Sequence, residues 1–508
     1  MKFIKKFLFL SVTAISTIAY SQLKDSVQFF QQSLNQYNQE RFLTQNYYYN
    51  PANKSDYSSL SFSEFEIEYH SDKKNAYRPQ LGSGENGFSL SADSYKKTKK
   101  NNFIWGSASY SYRNLKDITW NEDLDYDRIA PYILSDSVGG NKKLEVYQFG
   151  GGYGKQYRKF SYGIEANYAA QMAYRARDPR SRNVTSDLYI KLGTNYNVYR
   201  KLQVGVFGEL NLYTQTGSIS FVSEVSKPLI YQMVGFGYSN YFFSSEYASV
   251  IYQELGYKVG GHISNNGGKD FYINANFSRS NNVKGIKTKN SNSYYDASDL
   301  DREYYNIEGA KFFNFGNHRT GLLLSYTSDV RTGYEYGYTN NSTLIQQLYK
   351  RAAYKREDNN STAKLFYQIN NKGFVTTFIP FFNYNEVIDR RIYPFSGQKY
   401  DSFNYGIEAA FQKELKNNQI ITFKPQFIIR KMNNSINALN TNLNSSIANW
   451  VLQDYALLTS DSTSFGASLR YDIKLEKLPA FFISGQWIRQ SLQEKNNNFV
   501  GVNLGITF

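Results

Sequence analysis

The sequence predicts an all-β chain, folded as a transmembrane antiparallel β-barrel of about eighteen strands with sixteen to twenty open. Three observations predict it. The last ten residues, FVGVNLGITF, place Val500, Val502, Leu504, Ile506 and Phe508 on one parity. Gly501, Asn503, Gly505 and Thr507 fall on the other parity with Phe499. Successive strand residues face opposite sides, so one face of this segment is almost wholly apolar. The composition agrees: Tyr (47) and Phe (37) are abundant while Pro (9) is scarce, the bias of a strand-rich chain with interfacial aromatic girdles. The mean hydropathy is only −0.57, as expected where alternate residues alone meet lipid.

At the N-terminus, Lys2, Lys5 and Lys6 precede a short apolar core, Phe7 to Ala19, and a small-x-small site at Ala19-Tyr20-Ser21. This predicts a cleaved signal peptide over 1–21 and a mature chain from Gln22. The chain has no Cys, which excludes disulfides and Cys-based metal sites. Residues 22–59 form an N-terminal periplasmic or lumenal segment. Phe29, Leu34, Tyr37 and Phe42 lie roughly at helical spacing there, and the alternative is an extended tail in the barrel mouth. The segment is too short for a globular plug.

The barrel is expected over 60–508. Its clearest strand puts Phe160, Tyr162, Ile164, Ala166, Tyr168, Ala170, Met172 and Tyr174 outward. Ser161, Gly163, Glu165, Asn167, Gln171 and Arg175 then face inward. Leu202 to Leu212 repeats the pattern. Nineteen runs are counted in all, 231–242 among them. A single-chain bacterial barrel should hold an even number, so one run is in excess, and the least regular alternation lies within 214–263. Short gaps at 96–101, 199–200, 314–317, 371–372 and 416–417 read as periplasmic turns. Long gaps at 114–142, 282–301, 333–359, 388–401 and 432–461 read as extracellular loops. Both termini then lie in the periplasm.

Catalytic chemistry is poorly supplied. His70, His262 and His318 are scattered, with no metal-ligand spacing around them. His70-Ser71-Asp72 is the one arrangement suggesting a barrel enzyme, but adjacent strand residues point apart. GGGYG at 150–154 lacks the Lys-Ser/Thr of a phosphate loop and lies on an expected strand. The formal charge of +15 suits an anionic lipopolysaccharide surface or an anionic solute better than nucleic acid, whose usual modules are missing. No cofactor and no metal are expected.

Two polar segments stand out. YRARDPRSRN, 174–183, carries Arg175, Arg177, Arg180 and Arg182 around an Asp-Pro turn at the outer rim. Four guanidiniums there are candidates for contact with an anion or a partner. They could equally pair with lumenal carboxylates such as Glu165 or Asp187, or with lipopolysaccharide. The acidic loop 120–140 carries Glu122, Asp123, Asp125, Asp127 and Asp136, and is expected to fold towards the Arg cluster or to carry a partner site. Phe508, the terminal aromatic, is the candidate signal for the barrel-assembly machinery.

The combination of NPA at 50–52, TWNEDLDYDRIAPYILSDSVGG, LEVYQFGGGYG and YRARDPRSRN resembles a family of Bacteroidota outer-membrane β-barrel proteins of unknown function. The likeness is strongest over 119–190. It implies residence in the outer membrane and association with TonB-dependent uptake, and it supplies no catalytic residue. The expectation is a non-enzymatic accessory in surface binding or uptake beside a TonB-dependent transporter. The alternatives are a passive, weakly anion-preferring pore and an outer-membrane barrel enzyme.

Overall fold

The computed structural model describes residues 28–225, 227–243, 249–287, 293–339, 346–416, 418–439, 443–476 and 478–508. The expected signal peptide lies outside them. Eighteen antiparallel strands close into one barrel. They are β1 Phe62–Lys73, β2 Gly84–Lys97, β3 Asn102–Ile118, β4 Gly140–Tyr157, β5 Phe160–Tyr174 and β6 Arg180–Tyr199. Next come β7 Leu202–Ser220, β8 Ser249–Asn265, β9 Phe271–Lys287, β10 Tyr294–Phe315, β11 His318–Tyr338 and β12 Gln347–Asn371. The circuit ends with β13 Phe374–Arg391, β14 Ser396–Lys416, β15 Gln419–Ala438, β16 Ser462–Lys474, β17 Ala480–Leu492 and β18 Lys495–Thr507. Each strand pairs with its sequence neighbour, and β18 closes on β1 with Glu64 opposite Thr507 and Lys73 opposite Asn498.

Alternation decides the facing. In β7, Gln203, Gly205, Phe207, Glu209, Asn211, Tyr213 and Gln215 are buried in the lumen. Val206, Leu210 and Leu212 point outward, each more than half exposed on the isolated chain. The neighbouring outward residues Ile190 and Leu192 continue the belt. Among the described residues no helix is long and apolar enough to cross a membrane, so only the strands could cross.

The excess run is 231–242. It folds into two short strands, Tyr231–Gly235 and Tyr238–Ser239, which pair with each other, and the first also pairs with Leu134–Ser135 inside the barrel mouth. Gln232, Met233 and Val234 are buried in succession, so this segment has no lipid face. The strands are also longer than the sequence pattern suggests. They run from 12 residues in β1 to 25 in β12, against the ~9–11 that cross a bilayer. The expected loop 282–301 is therefore largely ladder, with Asn282 opposite Leu300.

Turns at the periplasmic-type end are tight. Arg158, Arg200, Gly316, Gly373 and Asn418 take left-handed φ in two-residue connections, and Asn101 in the four-residue connection 98–101, which lets these turns follow the strand twist. The N-terminal segment is broken rather than one helix: α1 Phe29–Gln36, α2 Gln39–Leu43, then two 3₁₀ turns at Tyr47–Tyr49 and Pro51–Asp56. At the opposite end two further helices, α3 Tyr126–Ile129 and α4 Ser445–Leu458, fold over the mouth.

Candidate functional site

The functional geometry lies where the chain closes its own barrel. At the short-turn end, residues 28–58 fill the lumen. Phe29 and Phe30 pack with Val375, Ile420 and Ala480, and Tyr47 packs with Tyr272, Phe312 and Phe366. The polar contacts are as dense. The Tyr47 hydroxyl donates to Gln203 Oε1 at 3.1 Å, Asn46 Nδ2 to Glu308 Oε2 at 2.7 Å, and Arg319 Nη2 to Glu40 Oε1 at 2.6 Å. The NPA segment has a specific seat: Asn50 Nδ2 donates to Asn195 Oδ1 at 3.0 Å, and Asn195 Nδ2 to Asn53 Oδ1 at 2.7 Å. Pro51 lies so close to β5 that a Cβ at Gly163 would come within 2.6 Å of its carbonyl. Only glycine admits that approach. Burial pulls the Lys54 amine down to about 8, although Glu165 acts the other way.

At the long-loop end the segment between β3 and β4 turns inward. Arg175, at the end of β5 on the lumenal parity, donates from Nη1 to Glu122 Oε1 at 2.5 Å and from Nη2 to Asp136 Oδ2 at 2.7 Å. Its Nε donates to the Pro179 carbonyl at 2.5 Å. Lys142 lies 3.4 Å from Glu122 Oε2 and donates to the Asn121 carbonyl at 2.8 Å. All four side chains are buried, so two cations face two carboxylates away from water. Burial pushes the Glu122 carboxyl up to about 7 against the pull of Lys142 and Arg175, with Asp136 adding to the rise. Burial also opposes ionisation of Asp136, yet its hydrogen bond with Glu122 and the Arg175 guanidinium hold it below the ordinary carboxylate range. Burial thus favours the protonated form of Glu122, while Asp136 is held towards the ionised form.

Further contacts fix the same loop to the wall. Arg128 in α3 donates from Nη1 to Asp187 Oδ2 at 2.8 Å and from Nη2 to Glu254 Oε1 at 2.9 Å, with its guanidinium 3.8 Å from the Tyr213 ring centroid. Asp123 accepts from the Tyr252 hydroxyl at 2.8 Å and Asp125 from Tyr213 at 2.9 Å. Helix α4 lies across the mouth: Trp450 stacks on Trp120, donates from Nε1 to Gln80 Oε1 at 2.9 Å, and stands four residues before Asp454, which pairs with Arg78.

The four arginines singled out from sequence do not form one cluster. Arg175 is enclosed in the lock and unavailable to an outside ligand. Arg177, Arg180 and Arg182 remain exposed, Arg180 pairing with Asp178 at 3.0 Å. Arg182 stands opposite Tyr174 on the outward parity. The acidic loop does reach Arg175, through Glu122 and Asp136. Phe508 exchanges backbone hydrogen bonds with Ser63, at 2.8 and 3.3 Å. The histidines stay apart: His70 lies 3.3 Å from Glu85, His262 packs edge-on against Tyr47, and His318 lies 2.9 Å from the Tyr367 hydroxyl. No group of three His, Cys, Asp or Glu able to hold a metal occurs among the described residues.

Sequence reasoning missed Lys142 as a neighbour of Glu122, Glu254 as the partner of Arg128, and the specific contacts that seat the N-terminal segment. One signal was readable: Arg175 shares parity with Glu165 and Gln171, which marks it as lumenal.

Residues 19–508 match a family described as a family of unknown function (DUF6850). No curated protein is significantly similar in sequence. Among solved structures, the ferric preacinetobactin receptor BauA from Acinetobacter baumannii is similar at 10% identity and a TM-score of 0.37, over 88% of this chain and 80% of that one. A mutant of the ferric enterobactin receptor from Pseudomonas aeruginosa is similar at 7% identity and a TM-score of 0.41, over 88% and 80%. The outer membrane transporter YddB from Escherichia coli is similar at 7% identity and a TM-score of 0.40, over 88% and 81%.

Proposed function

The chain belongs to the family of unknown function DUF6850, and from that premise we propose that it is a non-enzymatic outer-membrane β-barrel acting in binding or uptake at the cell surface, beside a TonB-dependent transporter. The observation that carries this reading is a barrel with an apolar outer belt into whose lumen its own chain folds at both ends. Residues 28–58 pack into one end. The Glu122–Arg175–Asp136 lock and α4 close the other. The belt supports residence in a bilayer, since residues of this kind facing water over such an area would drive association.

A passive anion-preferring pore fits less well, because two independent sets of buried contacts would have to open. The transporter partner rests on the resemblance carried by residues 50–52 and 119–190. Lipopolysaccharide and the barrel-assembly machinery complete the proposed set of partners, the latter through Phe508.

Two measurements test the reading. The chain should co-purify with a larger transporter from gently solubilised membranes, and should show no steady conductance in a planar bilayer. Steady anion-preferring conductance would favour the pore. A hydrolytic activity lost on substitution of His70 would favour the enzyme.

A further inference from the structure

We propose that the chamber beneath α4 is a binding site for a small neutral polyhydroxylated solute, with α4 as its lid; this deepens the surface-binding role above and does not depend on the transporter partner. The chamber has a volume of about 310 Å³ and lies between the lid, the inward-folded loop and the β11–β14 wall. The lid contributes Trp450, Val451, Asp454 and Leu458, residues that recur on one face of α4.

The charges around the chamber are largely spent on each other. Arg78 pairs with Asp454 on the lid, Nη2 to Oδ2 at 3.2 Å. Arg356 donates to Asp389 at 3.2 Å and to Asp358 at 3.1 Å, and Arg331 to Asp329 at 3.0 Å. A charged ligand would have to break such a pair, leaving an uncompensated charge in a low-dielectric site. Two residues that line this space each carry a buried hydrogen-bonding atom left over. Asp389 Oδ1, on a side chain more than nine-tenths buried, accepts from nothing among the described residues, and Arg331 Nε donates to nothing there. One is an acceptor and the other a donor. A hydroxyl can answer either kind of group; an ammonium serves only the first and a carboxylate only the second. Phe236, Pro131 and the Trp450 indole supply apolar surface for the C–H faces of a polyol or sugar.

Below the chamber the wall continues in neutral amides and hydroxyls. Asn385 Nδ2 donates to Asp358 Oδ1 at 2.8 Å, Asn383 Nδ2 to Thr362 Oγ1 at 2.8 Å, and Asn404 Nδ2 to Asn383 Oδ1 at 2.9 Å. These side chains face inward and are half-buried, so their remaining donors and acceptors meet lumenal space. Beyond Asp358 the chemistry offered to a solute is hydrogen-bonding and uncharged across Asn360, Thr362, Asn383 and Asn404.

The test uses the full mature chain purified in detergent, with intrinsic tryptophan fluorescence reporting on Trp450 and Trp120. The probes are neutral sugars (glucose, galactose, mannose, arabinose, maltose, sucrose and trehalose) with glucose 6-phosphate and glucosamine as charged comparators of similar size. At least one neutral sugar should shift the spectrum saturably and bind at least ~10-fold more tightly than its charged comparators. Val451→Trp, which fills the chamber from the lid without touching a paired charge, should abolish that binding while the barrel stays heat-modifiable. Asp389→Asn, which keeps the shape and removes an acceptor charge, should weaken it. No response to any neutral sugar, equal binding of the charged comparators, or unimpaired binding by Val451→Trp would each overturn the proposal. Because the chain is tested alone, failure to co-purify with a transporter bears on the partner and not on this site.

Discussion

The indole rings of Trp120 and Trp450 lie 5.3 Å apart at an interplanar angle of 8°. One belongs to the inward-folded loop after β3, the other to α4, far along the chain. Both are buried. The stack joins the two pieces of the outer closure, and the Trp450 N–H is satisfied by Gln80 rather than left unpaired. Offset stacking adds ~0.5–1.5 kcal/mol beyond the area buried.

Trp450→Ala should therefore free the lid without unfolding the barrel. Removing a buried indole costs about 3–5 kcal/mol where the site cannot collapse. Amide hydrogen exchange over 445–458 should accelerate sharply, while the barrel strands and heat-modifiability stay unchanged. Unaltered exchange in α4 would show that the lid is held by other contacts.

Arg175→Gln should act on the other half of the closure. It leaves Glu122 and Asp136 buried without their guanidinium, and breaking a buried pair costs about 3–5 kcal/mol. The loop 119–139 should become protease-sensitive, and the barrel should conduct more readily than the parent chain. A protected loop in this variant would mean that Arg128 and Asp123 alone hold it.

The lock should also respond to pH. The folded state holds a proton on Glu122 up to about 7, whereas an unfolded glutamate loses it near 4.5. A carboxyl with a raised folded pKa contributes stability that is full below the unfolded value and is lost as pH rises through the folded one. Loop protection should thus fall between roughly pH 4.5 and 7, by an amount on the order of 3 kcal/mol. Glu122→Gln, which carries its proton permanently, should flatten that dependence. A parent chain whose protection rises over the same interval would contradict the proton assignment.

The barrel was legible because strand periodicity is local. Each parity set, such as Phe160 to Tyr174, declares its own facing; the even-number rule showed one run to be in excess, and the least regular alternation placed it within 214–263. Residues 231–242 misled for a physical reason: they do form strands, but against the inner loop rather than in the wall. The closure was not legible, since each of its bonds joins residues remote in sequence. Arg175 could be placed inward by parity, but Glu122 and Asp136 as its partners required the fold. Likewise Gly163 looked like an ordinary inward glycine, and its role as the seat of Pro51 emerges only when the N-terminal segment is seen in the lumen.

The exposed arginines give a separate expectation. Replacing Arg177, Arg180 and Arg182 together with Gln should leave assembly intact, because none belongs to the lock. If the rim attracts anionic lipopolysaccharide or a partner, association should weaken at low salt. The difference from the parent should shrink at high salt, where the Debye length is only about 3 Å at 1 M. Equal association of both proteins at low salt, measured on lipopolysaccharide-containing vesicles, would reduce the rim to solvated charge.

The last expectation concerns the belt itself. Ala166 points outward on β5 between Ile164 and Tyr168, which are 48% and 41% exposed on the isolated chain. Asn167 points inward and donates from Nδ2 to Glu165 Oε1 at 2.8 Å. In a bilayer, Ala166→Arg sets a cation against hydrocarbon at a cost of roughly 2–4 kcal/mol near the midplane. Asn167→Arg instead faces a polar lumen and finds the Glu165 carboxylate within reach. Urea unfolding from lipid vesicles should therefore show the first variant markedly less stable than the second. Equal losses would mean that β5 does not cross at this height. The reverse order would mean that its outer face is not the lipid face, and the membrane reading of the belt would fall with it.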